Sequence, residues 1–420
     1  MLEDLQPHSN VKELQICHYR GTRLPVWMRD GLLQKLVTVS LKHCTKCKVL
    51  SLGRLPHLRQ LCIHGMQELE DWPEVEFPSL DTLKISNCPK LRKLHSFFPI
   101  LRVLNIKKCD SLRALAVTPS LMFLILVNNP VLEDWQEISG TVLNSLNQPI
   151  GQMHSYQHLL ELKIICCPKL PALPRTFAPQ KLEISGCELL TALPVPELSQ
   201  RLQHLELDAC QDGKLVEAIP ATSSLYSLVI SNISNITSLP ILPHLPGLKA
   251  LYIRNCKDLV SLSQKAAPLQ DLTFLKLLSI QSCPELVSLP AEGLSITLEC
   301  LMIGSCLNLE SLGPVDVLKR LTSLKDLYIE DCPKLKCLPE KGVPTSLEHL
   351  VIQGCPLLME QCRKEGGGGP DWLKVKDIPD LEIDSIDDTL GLPHESSKPR
   401  PSSSARWYHH LACCKGQYLL

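Results

Sequence analysis

The chain has 420 residues, with 43 lysines and arginines against 44 aspartates and glutamates, a formal net charge of −1 and a sequence pI of about 6.9. This balance, without any long run of like charges, argues against a nucleic-acid or anionic-membrane surface. The chain starts without a signal-like region, and its longest apolar run, LMFLILV at 121–127, is too short to span a bilayer. We therefore expect a cytoplasmic chain whose 20 cysteines stay reduced.

A nine-residue phrase recurs along the chain with the pattern L-x-x-L-x-I-x-x-C, as in LDTLKISNC at 80–88 and LKDLYIEDC at 324–332. Apolar fourth and sixth positions that alternate with other residues predict one short strand in each copy. We count fifteen copies, most of them 20 to 27 residues apart. Their ninth positions are Tyr19, Cys44, Met66, Cys88, Cys109, Asn129, Cys167, Cys187, Cys210, Ile233, Cys256, Cys283, Cys306, Cys332 and Cys355.

This period and the L-x-x-N/C-x-L ending of each copy are typical of leucine-rich repeats. We predict an α/β leucine-rich-repeat solenoid (horseshoe) over residues 1–364, with about fifteen repeats, a parallel concave β-sheet and an irregular convex side. Each repeat can bury its leucines only when the next repeat covers them. A long sheet of this kind offers a broad surface that suits a protein partner.

Cysteine fills eleven of the fifteen ninth positions. We interpret these residues as buried structural thiols, because a thiol is small, tolerates burial and offers a weak hydrogen-bonding group. The alternative is metal or redox chemistry, suggested by CTKC at 44–47 and by the pairs 166–167 and 413–414. A zinc site would need a second close pair of ligands at matching spacing, which is not found near CTKC. We therefore predict no metal site.

One long gap, the 38 residues from Asn129 to Cys167, interrupts the repeat spacing. It contains QEISGTVLNSLNQPIGQMHSYQ, an insertion at about 136–157. This segment either folds over an exposed cluster of Phe123, Ile125 and Val127 or is a degraded repeat, and we favour a loop.

The C-terminal part of the chain departs from the repeat pattern after EGGGGP at 365–370. We predict a linker and C-terminal cap over 365–384, in which Trp372, Ile378, Leu381 and Ile383 shield the last repeat, because solenoids need such ends. From about 385 the sequence is rich in proline and serine without a repeat, which predicts a disordered tail over 385–420.

The template places third, fifth and seventh positions on the open concave side, where a partner would bind. Early copies put lysines there and middle copies put acids there: Lys42, Lys84, Lys107 and Lys163, then Glu183, Glu206 and Asp208. Later copies combine apolar anchors with a charged rim, a composition typical of interfaces. The predicted partner-binding residues are Tyr252, Arg254, Leu277, Met302, Asp326, Tyr328 and Glu330. The alternative is that single exposed apolar residues are common and carry no meaning.

Enzyme signatures do not stand out in this sequence. HExxH and GxSxG do not occur, and no set of cysteine, histidine and acid stands out as catalytic. We therefore expect a binding protein without catalytic residues.

Three stretches resemble one known family. VKELQICHYRGTRLPVWM at 11–28 and LGRLPHLRQLCIHGM at 52–66 are similar to early repeats of that family, and GCPLLMEQCRKEGGGGPDWLKVKDIPDLEID at 354–384 is similar to its closing segment. The chain thus resembles the C-terminal leucine-rich-repeat region of plant coiled-coil nucleotide-binding disease-resistance proteins of the RPP13-like type.

The resemblance implies the protein-recognition region of an intracellular immune receptor, which senses a pathogen effector or an effector-modified host protein in the defense response. In an intact member the repeats would also contact the nucleotide-binding domain. That domain's glycine loop ending in G-K-[ST] does not occur here, so its ATP/ADP site is not carried over and we expect no cofactor in this chain. The alternative function is a substrate adaptor of a ubiquitin ligase or another scaffold, which should show an F-box-like helical segment upstream.

Overall fold

The computed structural model divides into two compact units, Met1–Leu202 and Gln203–Leu420. The residues that it describes are 2–70, 72, 77–94, 98–116, 118–135, 139–143, 149–154, 156–174, 177–194, 201–210, 213–239, 245–262, 269–290, 293–364 and 369–384.

The first unit contains eight parallel strands whose order in the sheet follows their order in the chain. Neighbouring strands pair so that equivalent template positions lie side by side, as Leu83 does with Leu104. The strands are β1 (Glu13–Cys17), β2 (Thr38–Lys42), β3 (Gln60–His64), β4 (Thr82–Ser86), β5 (Val103–Lys107), β6 (Phe123–Val127), β9 (Glu161–Ile165) and β10 (Lys181–Ser185).

The insertion at 136–157 contains a separate antiparallel hairpin of β7 (Ser139–Leu143) and β8 (Pro149–His154). Strand β6 pairs directly with β9, with Leu124 opposite Leu162. The segment that we expected to be a loop therefore interrupts the chain between two repeats without adding a strand to their sheet. The side chains of 136–155 lie outside the described residues, and so does their expected packing over Phe123.

The second unit contains eight further parallel strands, again in chain order and in equivalent register. They are β11 (His204–Asp208), β12 (Ser227–Ser231), β13 (Ala250–Arg254), β14 (Leu277–Gln281), β15 (Cys300–Gly304), β16 (Asp326–Glu330), β17 (His349–Gln353) and β18 (Asp380–Ile383). Strand β18 belongs to the segment that we predicted as a cap, and it pairs with the strand of the last repeat.

Helices are short throughout the described residues. They are α1 (Val26–Arg29), α2 (Lys214–Glu217), α3 (Pro356–Gln361) and α4 (Trp372–Val375), and a 3-10 turn spans Leu269–Asp271. Within the part of the chain that the structure describes, no helix has the length and apolar character to cross a bilayer.

The strands form where the sequence alternates, because fourth and sixth positions are buried on one face of the sheet. Leu104 and Ile106 in β5, like Leu251 and Ile253 in β13, have no solvent exposure. Burying one such side chain contributes about 1.5–3 kcal/mol, and the next repeat provides the cover. The leucine-rich-repeat solenoid is confirmed, and each of the fifteen copies of the phrase contains one strand.

The ninth-position cysteines are all buried, with at most 2% of any residue exposed. Most of their thiols donate a hydrogen bond to the carbonyl of the residue two before, as Cys88 Sγ does to Ser86 O at 3.5 Å and Cys332 Sγ to Glu330 O at 3.3 Å. Burial raises the pKa of Cys88 to about 11, so it remains a thiol near neutral pH. The interpretation as buried structural thiols is confirmed.

The residue before each ninth position has a left-handed backbone. In all fifteen copies φ at the eighth position is positive, from 48° at Ala209 to 69° at Gly65, although only three of these residues are glycine. This conformation turns the chain from the strand into the core. It also points the N–H at the neighbouring repeat, as Asn255 N donates to Gln281 O at 2.9 Å.

Candidate protein-binding face of the second unit

We call the side of each sheet that carries third, fifth and seventh positions the odd-position face. In the second unit the strand register brings the fifth positions into one row, in which Tyr252, Ser279, Met302 and Tyr328 are successive neighbours. Third positions form a parallel row in which Leu277 lies beside Cys300. The in-register sheet therefore collects side chains that are more than 20 residues apart in sequence.

An apolar cluster lies at the centre of this face. Its buried members are Ala250, Tyr252, Leu277, Cys300 and Met302, and two half-buried side chains, Val229 and Tyr328, pack against it. Four of the predicted partner-binding residues are thus brought together, namely Tyr252, Leu277, Met302 and Tyr328.

The expectation that these apolar side chains stand in solvent is wrong for most of them. Tyr252, Leu277 and Met302 have no exposure. Strands about 4.8 Å apart bring large side chains at equivalent positions into lateral contact. Tyr328 is half-buried, so part of its surface remains accessible.

Charged groups flank the cluster on its seventh-position side. The guanidinium carbon of Arg254 lies 5.2 Å from the ring centroid of Tyr252, which is a cation–π geometry. Glu330 is 4% exposed. It lies beside Gly304 on the neighbouring strand, and because glycine has no side chain, there is room for the Glu330 side chain at this position.

Asp326 lies at a third position next to Cys300 and is 6% exposed. His349 lies between this carboxylate and another, with its Nε2 3.9 Å from Asp326 Oδ1 and its Nδ1 2.9 Å from Asp380 Oδ2. The predicted residues Arg254, Asp326 and Glu330 therefore all border the apolar cluster.

More acidic groups lie on β11. Asp208 Oδ1 accepts hydrogen bonds from Ser231 Oγ at 2.8 Å and Asn232 Nδ2 at 2.6 Å, and Glu206 is half-buried in the same strand. Acidic side chains thus lie on both sides of the apolar cluster, at β11 and at β16.

Among the buried residues of this face that sequence reasoning missed are Ala250, Ser279 and Cys300. Cys300 was overlooked because it is not one of the ninth-position cysteines. Ala250 and Cys300 could have been placed on the odd-position face from the sequence, because both are apolar residues at third positions. That signal could not reveal which apolar residues the neighbouring strands would bury.

The odd-position face of the first unit has a different character. Lys42, Lys84 and Lys107 are exposed on it as predicted, and Lys163 forms an ion pair with Glu183. Of the expected apolar cluster here, Phe123 is 36% exposed, whereas Ile125 and Val127 are half-buried.

The cysteine motif does not form a metal centre in the described residues. Cys44 and Cys47 are both buried, and Cys47 Sγ donates to Gly21 O at 3.2 Å. Across the ranges that the structure describes, no group of three or more histidine, cysteine, aspartate or glutamate side chains could hold a metal ion. That no cofactor is needed stays a prediction.

The sequence of this chain is similar to those of plant disease-resistance proteins. The family model for R13L1/DRL21 leucine-rich repeats matches residues 1–66. Over 263 residues the chain is 29% identical to the putative disease resistance RPP13-like protein 1 of Arabidopsis thaliana, covering 55% of this chain and 24% of that protein. It is 36% identical over 120 residues to the putative disease resistance protein RGA1 of Solanum bulbocastanum, covering 26% of this chain and 12% of that protein.

The chain therefore spans about a quarter or less of the length of these relatives, and it matches their leucine-rich-repeat regions. Among solved structures, YopM from Yersinia enterocolitica is 19% identical, covering 81% of this chain and 78% of that one, with a TM-score of 0.40. The repeat fold of this chain is established by its own parallel strands.

Proposed function

We propose that this chain, whose repeats match the leucine-rich-repeat region of plant disease-resistance proteins, is the protein-recognition region of an intracellular plant immune receptor. It senses a pathogen effector, or a host protein modified by one, in the cytoplasm. Recognition is noncatalytic and needs no cofactor in this chain. In a longer receptor the repeats would also contact the nucleotide-binding domain that responds to recognition.

The observation that carries the proposal is the odd-position face of the second unit. A compact apolar centre with two tyrosines and a methionine, bordered by Arg254, Asp326 and Glu330, has the composition of a protein-binding hot spot. The similarity to disease-resistance proteins supports the immune context.

The chemistry of the face also favours a protein partner. The half-buried ring of Tyr328 and the half-buried guanidinium of Arg254 lie beside an apolar centre, and this combination of aromatic, cationic and apolar groups matches a folded protein or peptide surface. Within the predicted set, the half-buried Arg254 and Tyr328 would contact the partner directly. The buried residues would hold these two side chains in place; they are Tyr252, Leu277, Met302, Asp326 and Glu330.

The test begins with a tagged chain expressed in leaf tissue with and without pathogen challenge, followed by purification of any challenge-dependent partner. The affinity of that partner is then measured by calorimetry for the wild type and for Tyr252→Ala and Tyr328→Ala. We expect each variant to weaken binding by tenfold or more. Phe274→Ala is the matched control, because Phe274 is 59% exposed but outside this face, and it should bind like the wild type.

The melting temperature of each variant separates lost binding from lost folding. Tyr252 is fully buried, so its truncation can destabilise the unit, whereas Tyr328 is half-buried and its variant is expected to stay folded. Unchanged affinity in both tyrosine variants would remove the proposal. Co-purification of ubiquitin-ligase core subunits, with loss of the captured protein on co-expression, would favour the adaptor function instead.

A further inference from the structure

We propose that a groove on the first unit binds an extended acidic segment of a partner protein, whose carboxylates are held by Arg59 and Arg102. The groove lies where the strands begin and is formed by residues of the first unit alone. The proposal therefore does not rest on the function assigned to the odd-position face of the second unit.

The groove forms beside the first-position leucines of five successive repeats. These leucines point into the core just before their strands and have no exposure; they are Leu58, Leu80, Leu101, Leu121 and Leu159. Residues directly before and after them line an open groove with a volume of about 700 Å³. Side chains on either side of a buried residue are thus left facing outward, and equivalent ones from neighbouring repeats collect in rows.

Backbone hydrogen bonds hold one of these rows in register. Arg102 N donates to Asp81 O at 2.9 Å, and Met122 N donates to Arg102 O at 2.9 Å. Each of these residues directly follows a first-position leucine, so the spacing of the row equals that of the strands. The sheet therefore fixes the positions of the groove residues.

The length of the groove favours an extended peptide as its occupant. From Arg59 to His158 it crosses four strand steps, from β3 to β9, or about 19 Å at 4.8 Å per strand. An extended peptide advances about 3.3 Å per residue, so roughly six residues fill it. A single small molecule would occupy only part of this length.

The charge of the groove is positive. Arg59 and Arg102 are exposed on its wall, and Asp81 is the one acid among the described residues that line it. Both carboxylate oxygens of Asp81 are already used, because one accepts a hydrogen bond from Arg102 Nε and the other accepts one from Thr82 Oγ1 at 3.2 Å. The acid therefore offers little to a second cation.

The two guanidinium groups remain available to a ligand. Within the part of the chain that the structure describes, neither the side chain of Arg59 nor the terminal nitrogens of Arg102 form a hydrogen bond or an ion pair. The bond from Nε to Asp81 restrains the Arg102 guanidinium and leaves its terminal N–H groups free. Paired N–H groups of this kind bind a carboxylate with two parallel hydrogen bonds.

The floor of the groove is aliphatic. Ile100 is 46% exposed, and Met122 of the next repeat is half-buried. An aliphatic side chain of the bound segment would remove this surface from water. The described lining residues include no phenylalanine, tyrosine or tryptophan on which nucleic-acid bases could stack. The groove therefore favours a peptide that combines acidic and aliphatic residues.

The experiment begins with the full 420-residue chain and an array of random hexapeptides. We expect the bound peptides to be enriched in aspartate and glutamate and to contain an aliphatic residue. The acidic peptide that binds most strongly is then labelled with fluorescein, and its affinity is measured by fluorescence anisotropy.

Charge-removing variants assign the binding to the groove. The double variant Arg59→Gln with Arg102→Gln should weaken binding tenfold or more. The matched control, Lys84→Gln with Lys107→Gln, removes the same charge from exposed positions on the odd-position face of the same unit, and it should bind within twofold of the wild type. All four residues are exposed, so both variants should keep the wild-type melting temperature.

Three results would overturn the proposal. Bound peptides without acidic enrichment, or an array without bound peptides, would exclude an acidic occupant. Equal weakening by the two double variants would reduce the binding to general charge attraction. Displacement of the peptide by an equal concentration of citrate would assign the groove to a small anion.

Tyr328→Ala separates this site from the proposed function. Because Tyr328 lies on the odd-position face of the second unit, its variant should bind the acidic peptide like the wild type. A loss of peptide affinity in this variant would contradict a site in the first unit. Unchanged peptide binding leaves the groove intact even if the odd-position face binds no partner.

Discussion

The backbone N–H of Cys332 donates a hydrogen bond to Sγ of Cys355, one repeat further on, at 3.3 Å. The same relationship occurs in the first unit, where Cys109 N donates to Oδ1 of Asn129 at 3.2 Å. A ninth-position side chain therefore accepts a bond from the backbone of the preceding repeat, and the thiol acts as a smaller substitute for the amide. This bond joins neighbouring repeats inside the core, where water cannot replace it.

Asn129 makes two such bonds, since its Nδ2 also donates to Ile106 O at 3.1 Å. Replacing it by leucine leaves two buried backbone groups without partners, at roughly 1–3 kcal/mol each. We expect Asn129→Leu to lower the free energy of unfolding by about 2–6 kcal/mol in urea titrations. Asn129→Cys should lower the free energy of unfolding clearly less, because cysteine is the ninth residue of most repeats. Equal losses would show that the amide's hydrogen bonds are not what matters.

Cys283 tests whether the ladder thiols are structural. Cys283 is fully buried, and its Sγ donates a hydrogen bond to Gln281 O at 3.5 Å. Cys283→Ala should lower the free energy of unfolding by about 1–2 kcal/mol, as expected for loss of a small buried group. Cys337→Ala, at an exposed position, should have almost no effect. Elemental analysis of the purified wild type should find no stoichiometric zinc, and finding it would contradict the structural interpretation.

The left-handed eighth position allows stability to be changed in both directions. Ala209 has φ of 48°, and a left-handed alanine costs about 1–2 kcal/mol relative to its preferred conformation. Ala209→Gly should therefore raise the melting temperature.

Gly354 is the matched counterpart, with φ of 59° at the same template position. A Cβ added there would collide with Oδ1 of Asp331, so Gly354→Ala should lower the melting temperature. Thermal unfolding followed by circular dichroism measures both variants. Shifts in the same direction would show that backbone strain at the eighth position does not govern stability.

We expect His64 to make the first unit less stable in acid. Burial is the main cause of its lowered pKa, followed by the neighbouring His43 and Lys42. His43 and His64 have ring centroids 4.8 Å apart, and His64 Nδ1 lies 2.7 Å from Ser86 Oγ. A histidine with a lowered folded-state pKa binds protons more readily when unfolded. Stability is thus retained above the unfolded pKa of about 6.5 and is lost as pH falls below it.

Hydrogen exchange of β3 and β4 at pH 7.5 and pH 5.5 measures this effect. We expect faster exchange at the lower pH in the wild type, and a smaller difference in His64→Asn. His158→Asn is the control, because His158 is an exposed residue of the same unit outside this histidine group. An identical pH response in all three proteins would exclude His64 as the cause.

Several features could be predicted from the sequence because they depend on neighbours in the chain. The burial of Leu104 and Ile106 follows from alternation, and that of Cys88 follows from its place after a strand. The left-handed eighth position was not predicted. Eight of its fifteen occupants are glycine, asparagine or aspartate, which adopt this conformation most readily. The others include histidine, lysine, alanine and serine, so the turn from strand to core also sets φ there.

The sequence by itself determined the repeat, the strand in each copy and the inward direction of the ladder cysteines, since each depends on a pattern within about ten residues. Only the tertiary structure decided that Tyr252, Leu277, Cys300 and Met302 form one buried cluster. Their contact arises because the in-register strands bring residues more than 20 positions apart to within a strand spacing.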